Sequence, residues 1–333
     1  MVKAISLLSG GLDSILATRL VLEQGIEVEA VNFLTVFCDR TARGKDCSSA
    51  KSAADKLGIK LKVFEVSKEC FEIVKNPRYG YGSNINPCLD CRIFMIKKAA
   101  QYMKEIGASF LITGEVLGQR PMSQRKEAMR IAERDSGLKG LILRPLSARL
   151  LEPTIPEKEG VVDREKLLAV KGRSRKPQIE LARQLGINDY PDPAGGCLLT
   201  DPGFANRMRD LIKHKPDFTM GEVQLLKLGR HFRVSPETKF IVGRNKEENE
   251  KLTNLAGSED FRFEPAKVKG PVGIGRGNFD KEHFSIAGSI IARYSDKDES
   301  RRIEVLYEKM PGGGQDSIVS LPITEETLKG LRI

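Results

Sequence analysis

Two sets of residues in this chain have the types and spacing to do chemistry. The first is the run Ser9-Gly10-Gly11-Leu12-Asp13-Ser14. Gly10 and Gly11 can take turns closed to other residues, which lets backbone N–H groups approach an anion closely. The hydroxyls of Ser9 and Ser14 add donors suited to phosphate oxygens. Asp13 would repel phosphate unless a cation lay between them, and Mg²⁺ held by one carboxylate plus phosphate oxygens satisfies both. The run lacks the Lys of G-x-x-x-x-G-K-[ST] and the third Gly of G-x-G-x-x-G. It also reads more plainly as a Gly turn followed by an Asp-capped helix. The second set is sulfur: Cys88 and Cys91 in "NPCLDCR", and Cys197 in "DPAGGCLLTD".

A C-x-x-C pair lets two thiolates converge, and a helix amino end lowers thiol pKa. Gly195 and Gly196 make the third loop pliable enough to bring Cys197 to the pair. Tetrahedral zinc needs a fourth ligand, and the sequence offers neither a matching C-x-x-C nor a histidine partner among His214, His231 and His283. Three thiolates with an open corner suit a [4Fe-4S] cluster whose unique iron binds an outside ligand. The alternative is a persulfide on Cys197, resolved as a disulfide by a C-x-x-C thiol; inert buried cysteines are the structural reading. Asp90, between the two cysteines, reads as solvated or as a proton acceptor. Cys38, Cys47 and Cys70 read as bystanders, with Cys38 and Cys47 able to act as a redox pair.

The elements that must position these groups follow from periodicity. Residues 1–8 read as a buried strand and 14–24 as a helix with Ile15, Leu16, Leu20 and Val21 inward. Strands are expected at 28–33, 61–66 and 109–114. Helices are expected at "SSAKSAADKLG", "CRIFMIKKAAQYMKEIG", "SQRKEAMRIAERD" and 173–187. Strands alternating with helices imply an α/β fold, a doubly wound parallel sheet covered on both faces. From about residue 231 short strands and Gly-rich turns dominate, which marks a second, smaller α+β domain. The expected organisation is 1–200, a linker or helical connection at 201–230, and 231–333.

Bulk composition fits a globular chain: 40% hydrophobic and 30% charged residues. No apolar run approaches the roughly 20 residues of a membrane span, and the amino end does not read as a signal peptide, so a cytoplasmic location and no membrane partner are expected. A net charge of +10 points to a polyanionic partner. The stretches "QRPMSQRKEAMR" and "KGRSRKPQ" place Arg120, Arg125, Lys126, Arg173, Arg175 and Lys176 where they could neutralise RNA phosphates; an ordinary exposed helix face is the other reading.

"SGGLDS" after the first strand resembles the PP-loop of the ATP pyrophosphatases, which cleave ATP between the α- and β-phosphates. The resemblance implies that Ser9, Gly10, Gly11, Asp13 and Ser14 hold the pyrophosphate. It also implies that adenine meets the chain near Phe33 and Leu34, and that Gly114 borders the nucleotide. "NPCLDCRIFMIKKA", "SRKPQIELARQLGI…GGC" and "ITGEVLGQRPMSQ" are similar to segments of the PP-loop tRNA thiolases, the 4-thiouridine synthetases and 2-thiouridylases, over roughly residues 5–200. No THUMP or rhodanese region is found beside them, and Cys88 stands where some thiolases have Asp. "FIVGRNKEENEKLTNLA" resembles part of the NFACT RNA-binding domain, and "KVKGPVGIGRG" its Gly-rich strand region. Arg244, Asn245 and Asn249 would then belong to an RNA-contacting or fold-defining turn, unless they simply cap the helix that follows.

The resemblance implies an enzyme, an ATP-dependent tRNA sulfurtransferase using ATP, Mg²⁺ and a [4Fe-4S] cluster or a Cys197 persulfide, with tRNA and a sulfide or persulfide carrier as partners. A PP-loop ligase or amidotransferase acting on a small molecule, and a non-catalytic nucleotide-responsive RNA-binding protein, are the competing classes. Whether two copies form a homodimer, and which uridine is modified, stay open at this level.

Overall fold

The computed structural model describes residues 2–38, 48–191, 197–296 and 302–333. The chain divides into two compact units, Met1–Thr200 and Asp201–Ile333.

The first unit runs β1 (Lys3–Leu7), α1 (Leu12–Leu22), β2 (Glu27–Leu34), α2 (Ser48–Leu57), β3 (Leu61–Glu65), α3 (Ser67–Lys75), α4 (Cys88–Glu105), β4 (Phe110–Thr113), α5 (Lys126–Ser136), β5 (Ile142–Leu143), α6 (Ile155–Lys158) and α7 (Lys176–Gln184). Its sheet has the order β3-β2-β1-β4-β5, with every neighbouring pair parallel. Alternation along each strand splits the core in two. Ala4, Val28, Phe110, Ile112 and Leu143 pack with Leu12, Leu16 and Ala182 of α1 and α7. Ile5, Leu7, Val31, Leu111 and Ile142 pack with Ile93, Ile96, Ala99 and Ala132 of α4 and α5. The sheet is therefore doubly wound. The chain moves from β1 to β2 and β3 on one side, then returns to β4 and β5 on the other. This opens a crevice between the loops leaving β1 and β4, where ligands of such sheets bind.

The second unit contains α8 (Pro202–His214), α9 (Met220–Leu225), β6 (Arg230–Ser235), β7 (Thr238–Val242), α10 (Lys246–Leu255), β8 (Phe261–Pro265), β9 (Gly273–Arg276), α11 (Lys281–Tyr294), β10 (Ile303–Lys309), β11 (Gln315–Ser320) and α12 (Glu325–Leu331). Its sheet is antiparallel, in the order β11-β10-β8-β9-β7-β6. Ala287, Ile290 and Ile291 of α11 pack with Phe232, Phe240 and Phe263, while Leu225 and Leu252 of α9 and α10 pack with Ile241 and Ile274. Residues 201–230 are thus mainly two helices whose side chains join this unit: Asp210 accepts Arg233 Nη2 at 2.6 Å and Lys239 Nζ at 3.3 Å. Among the described residues no helix is long and apolar enough to cross a membrane.

Candidate nucleotide and sulfur site

The loop Leu8–Gly11 leaves β1 at the carboxyl edge of the sheet, and Gly11 caps α1 in an extended conformation. Gly10 has φ +79°, and a Cβ there would lie 2.5 Å from the backbone carbon of Ser49, so no other residue fits. Ser14 Oγ donates to Gly11 O at 2.8 Å and lies 3.2 Å from Ser9 Oγ. The two hydroxyls are thereby held together at the helix amino end. From the neighbouring strand, Gly114 closes on the same loop: a Cβ would sit 2.5 Å from Ser14 N. Asp13 stands in the first turn of α1. Its Oδ2 accepts Gln119 Nε2 at 3.0 Å, whereas its Oδ1 is buried with no hydrogen-bond partner among the described residues. A buried carboxylate oxygen left over in this way fits the divalent cation inferred for Asp13.

Phe33 and Leu34 end β2. The Leu34 carbonyl accepts Val66 N at 2.9 Å and so faces β3. By alternation the Phe33 amide faces the β1 side, beyond Leu7 where β1 has ended. Phe33 therefore presents its backbone above the loop, while its ring stacks on Phe64 at 5.6 Å. Asn32, one residue earlier, donates to Leu8 O at 2.8 Å and steadies the loop from β2.

Cys88 opens α4 and Cys91 lies one turn further, on the same face. The Cys197 segment is sewn to both neighbouring loops by backbone bonds. Leu198 N donates to Phe37 O at 3.0 Å, and Ile85 N donates to Leu199 O at 3.3 Å. Asn84 Nδ2 adds a bond to Thr200 O at 2.7 Å. Cys197 also faces Cys38 in an antiparallel bridge. Cys70, from α3, is close enough to Cys91 for the two thiols to act on each other's proton affinity. Five thiols thus gather. Cys70 first, then burial and the sulfurs of Cys197 and Cys88, push the Cys91 thiol up. Cys91 holds Cys70 down. Burial pushes Cys197 up to about 12. Among the described residues no three His, Cys, Asp or Glu side chains stand in position to hold a metal ion. The donor chemistry of the nest suits iron and sulfur. Cys47, Gly195 and Gly196 lie outside the described residues.

A buried ion network joins the two halves of the site. Arg92, next to Cys91, lies 2.9 Å from Glu115 Oε1, and Glu115 follows Gly114 directly. Arg144 Nε meets the other oxygen at 2.9 Å and also reaches Glu133. Burial works to raise the Glu115 carboxyl, and Arg92 and Arg144 outweigh it, leaving it below its ordinary value. The path from thiol to phosphate loop is continuous: Cys91–Arg92 to Glu115–Gly114 to Asp13–Ser14.

Arg120, Arg125, Lys126, Arg173 and Lys176 are exposed and Arg175 is half-buried. Their two stretches meet: Leu117 bridges Lys171, and Gly172 N donates to Leu117 O at 2.7 Å. The basic residues therefore share one rim with Gln119 and Asp13. Arg244, in contrast, is bonded to Glu248, whose Oε2 also accepts Gly229 N at 3.2 Å. Asn245 caps α10 by accepting Glu248 N at 2.9 Å, and a Cβ on Gly243 would lie 2.0 Å from Asn249 Oδ1. These contacts hold the Arg244–Asn249 turn in place. Asp90 accepts the N–H groups of Arg78 and Tyr79 at 3.0 and 3.1 Å, which pins the loop before α4. Sequence reasoning gave no role to Asn32, Arg92, Glu115, Gln119 or Arg144, and treated Cys38 and Cys70 as bystanders.

Residues 1–150 match the family described as Thiamine biosynthesis protein (ThiI), and residues 229–331 match the NFACT protein RNA binding domain. The tRNA-specific 2-thiouridylase MnmA of Pseudomonas syringae pv. syringae (strain B728a) is 24% identical over 304 residues, covering 82% of this chain and 76% of that protein. MnmA of Pseudomonas savastanoi pv. phaseolicola (strain 1448A / Race 6) is 27% identical, covering 69% of this chain and 60% of that protein, so the chain spans less than two thirds of that relative. Among solved structures, U34-tRNA thiolase NcsA from Methanococcus maripaludis with its [4Fe-4S] cluster aligns with 80% of this chain and 74% of its own, at 15% identity and a TM-score of 0.32. Residues 1–150 are thus similar to the Thiamine biosynthesis protein (ThiI) family, and residues 229–331 to the NFACT protein RNA binding domain.

Proposed function

We propose that the chain is an ATP-dependent tRNA sulfurtransferase that converts a uridine carbonyl to a thiocarbonyl, in a cytoplasmic setting. One observation carries this reading: the Arg92–Glu115 ion pair fastens the thiol nest to the strand end that packs on the Asp13–Ser14 turn. ATP activation and sulfur attack can therefore happen at one place. The uridine oxygen attacks the α-phosphate and pyrophosphate leaves; sulfur then attacks the activated carbon and AMP leaves. Ser9, Gly10, Gly11 and Ser14 hold the phosphates, with the Phe33–Leu34 backbone and Gly114 flanking the nucleotide. Mg²⁺ on Asp13 would offset the charge gathered there. Arg120, Arg125, Lys126, Arg173, Arg175 and Lys176 hold the tRNA backbone, and the second unit adds RNA affinity.

For sulfur delivery, Cys88, Cys91 and Cys197 would hold a [4Fe-4S] cluster, which would supply an iron with an open position for an outside sulfide. In a second form, Cys197 carries a persulfide and a C-x-x-C thiol resolves it as a disulfide. Anaerobic iron and sulfide analysis separates the two: about four irons per chain mark the cluster form. The function itself is tested by mass spectrometry of tRNA nucleosides from cells lacking the protein. Loss of one thiolated uridine is expected. An unchanged nucleoside profile, together with pyrophosphate exchange that needs no RNA, would overturn it.

A further inference from the structure

Two cysteines of the first unit stand directly across from each other. Cys38 lies just beyond the end of β2, and an antiparallel bridge pairs it with Cys197. Leu198 N donates to Phe37 O at 3.0 Å, so the backbone bond runs between residues flanking the pair. Cys38 and Cys197 are therefore a non-hydrogen-bonded pair, the closer of the two antiparallel kinds, with Cα atoms about 4.5 Å apart and side chains on one face. A disulfide needs Cα atoms roughly 4.4–6.8 Å apart, and this register meets that condition. Both backbones are pinned. Val36 N donates to Ser67 Oγ at 2.8 Å, and Phe37 N to Thr35 Oγ1 at 3.0 Å. Thr200 N donates to Cys197 O at 2.8 Å, and Ile85 N to Leu199 O at 3.3 Å. The two sulfurs can join without moving the chain. Both thiols are free and half-buried, within reach of a small oxidant. Both forms of sulfur delivery use Cys197, and neither uses Cys38.

We propose that Cys38 and Cys197 form a reversible disulfide that takes Cys197 out of sulfur transfer when small disulfide oxidants accumulate. The effect on sulfur transfer rests on the proposed function; the pairing rests on the register alone. The oxidant is a disulfide of the glutathione class. Cys38 gives up its proton and attacks one sulfur of that disulfide. The oxidant's S–S bond breaks, and one glutathione leaves with the electron pair and is protonated. Cys197 then loses its proton and attacks the Cys38 sulfur of the mixed disulfide, and the second glutathione leaves in the same way. The two cysteines lose two electrons and two protons in all, which the oxidant takes up as two thiols. A dithiol reverses both exchanges and itself becomes a disulfide. Burial raises the Cys197 thiol to about 12, and Cys38 is first among the sulfurs that add to the rise. Cys197 therefore keeps its proton at neutral pH, and the exchange opens at Cys38.

The test uses full-length protein stripped of iron, reduced, and then exposed to glutathione disulfide in steps. Free thiols are alkylated and tryptic peptides mapped without reduction; cleavage after Arg40 and Lys45 separates Cys38 from Cys47. A Cys38–Cys197 linkage is expected as the main internal bond, with Cys70, Cys88 and Cys91 alkylated, and dithiothreitol removes it. Cys197 linked to Cys47, Cys88 or Cys91 while Cys38 is alkylated, or no internal linkage at all, overturns the proposal. In the protein as purified, tRNA thiolation should fall in step with the linked fraction and return with dithiothreitol. Cys38→Ser, with Cys38→Ala as a second variant, should thiolate tRNA like the wild type when reduced and keep that rate through the same oxidant steps. A variant inactivated as fast as the wild type overturns the gating role. The wild-type map needs neither variant. It reads the pairing whether or not tRNA is thiolated, so failure of the sulfurtransferase reading and failure of the Cys38 role give different results.

Discussion

Asp13 and Glu115 show how single carboxylates divide the work. Asp13 keeps one buried oxygen without a partner among the described residues, and on the proposed reading that oxygen faces a cation. Asp13→Asn is expected to lower ATP–pyrophosphate exchange at least about 100-fold, roughly 2.7 kcal/mol, without lowering the melting temperature. A coupled loss of melting temperature would contradict this. Glu115 does the opposite job. It pairs with Arg144, which is 4% exposed, and with Arg92. Glu115→Gln leaves buried guanidinium charge without its partner, at a cost of roughly 3–5 kcal/mol. The carboxyl lies below its ordinary value of 4.5. Its contribution is therefore present above that pH and fades as pH falls through the lower folded value. The melting-temperature gap between wild type and variant should be wide at pH 7 and narrow on acidification below 4.5; a gap that stays constant would show the pair to be neutral. Ser9, Gly10, Asp13 and Ser14 were readable from sequence because their spacing is local. Glu115, Arg92 and Arg144 were not, since a buried ion pair between distant segments has no periodic or spaced signature. Cys70 read as a bystander, because a lone cysteine carries no spacing signal.

At the scale of elements, the phosphate loop depends on two close approaches. Gly10 touches the start of α2, and Gly114 touches α1. Alanine at either should cost more than about 2 kcal/mol. Gly11, with only Ser9 Oγ at 3.5 Å from its would-be Cβ, should accept alanine with near wild-type stability; urea unfolding of the three variants decides this. Periodicity located β1 to β4 and helices α1, α2, α4, α5 and α7, because both faces of the sheet are buried by amphipathic helices, but not the short helices α3 and α6. It missed the helix start at Leu12, because the extended Gly11 cap draws Asp13 into the first turn. The two basic stretches were visible as composition, but their meeting at Leu117 and Gly172 was not, since it depends on a tertiary backbone bond. Replacing Arg120, Arg173 and Lys176 with alanine should reduce the slope of log affinity against log salt for RNA by about 2–3. An unchanged slope would remove these residues from the RNA path.

Over the whole molecule, each unit has its own apolar core, so each should fold alone. Residues 1–200 should retain ATP–pyrophosphate exchange, and residues 201–333 should unfold as a cooperative unit. The composition shift near residue 231 was legible, yet it falls after the point where the second unit's packing begins. Asp210 and Leu225 lie before it and are bonded or packed to β6 and β7. A fragment starting at 231 would leave Lys239, 7% exposed, without Asp210. It should be less stable than 201–333 by several kcal/mol or fail to fold, as circular dichroism melting would record.

The stitching of Leu198 and Leu199 to Phe37 and Ile85 also fixes an order of events on the ribosome. The phosphate loop and the first four thiols emerge early, but the fifth arrives only when about two hundred residues have been translated. A nascent chain halted before that point would carry the Ser9–Ser14 loop without the Cys197 segment that the backbone bonds of Leu198 and Leu199 tie beside it.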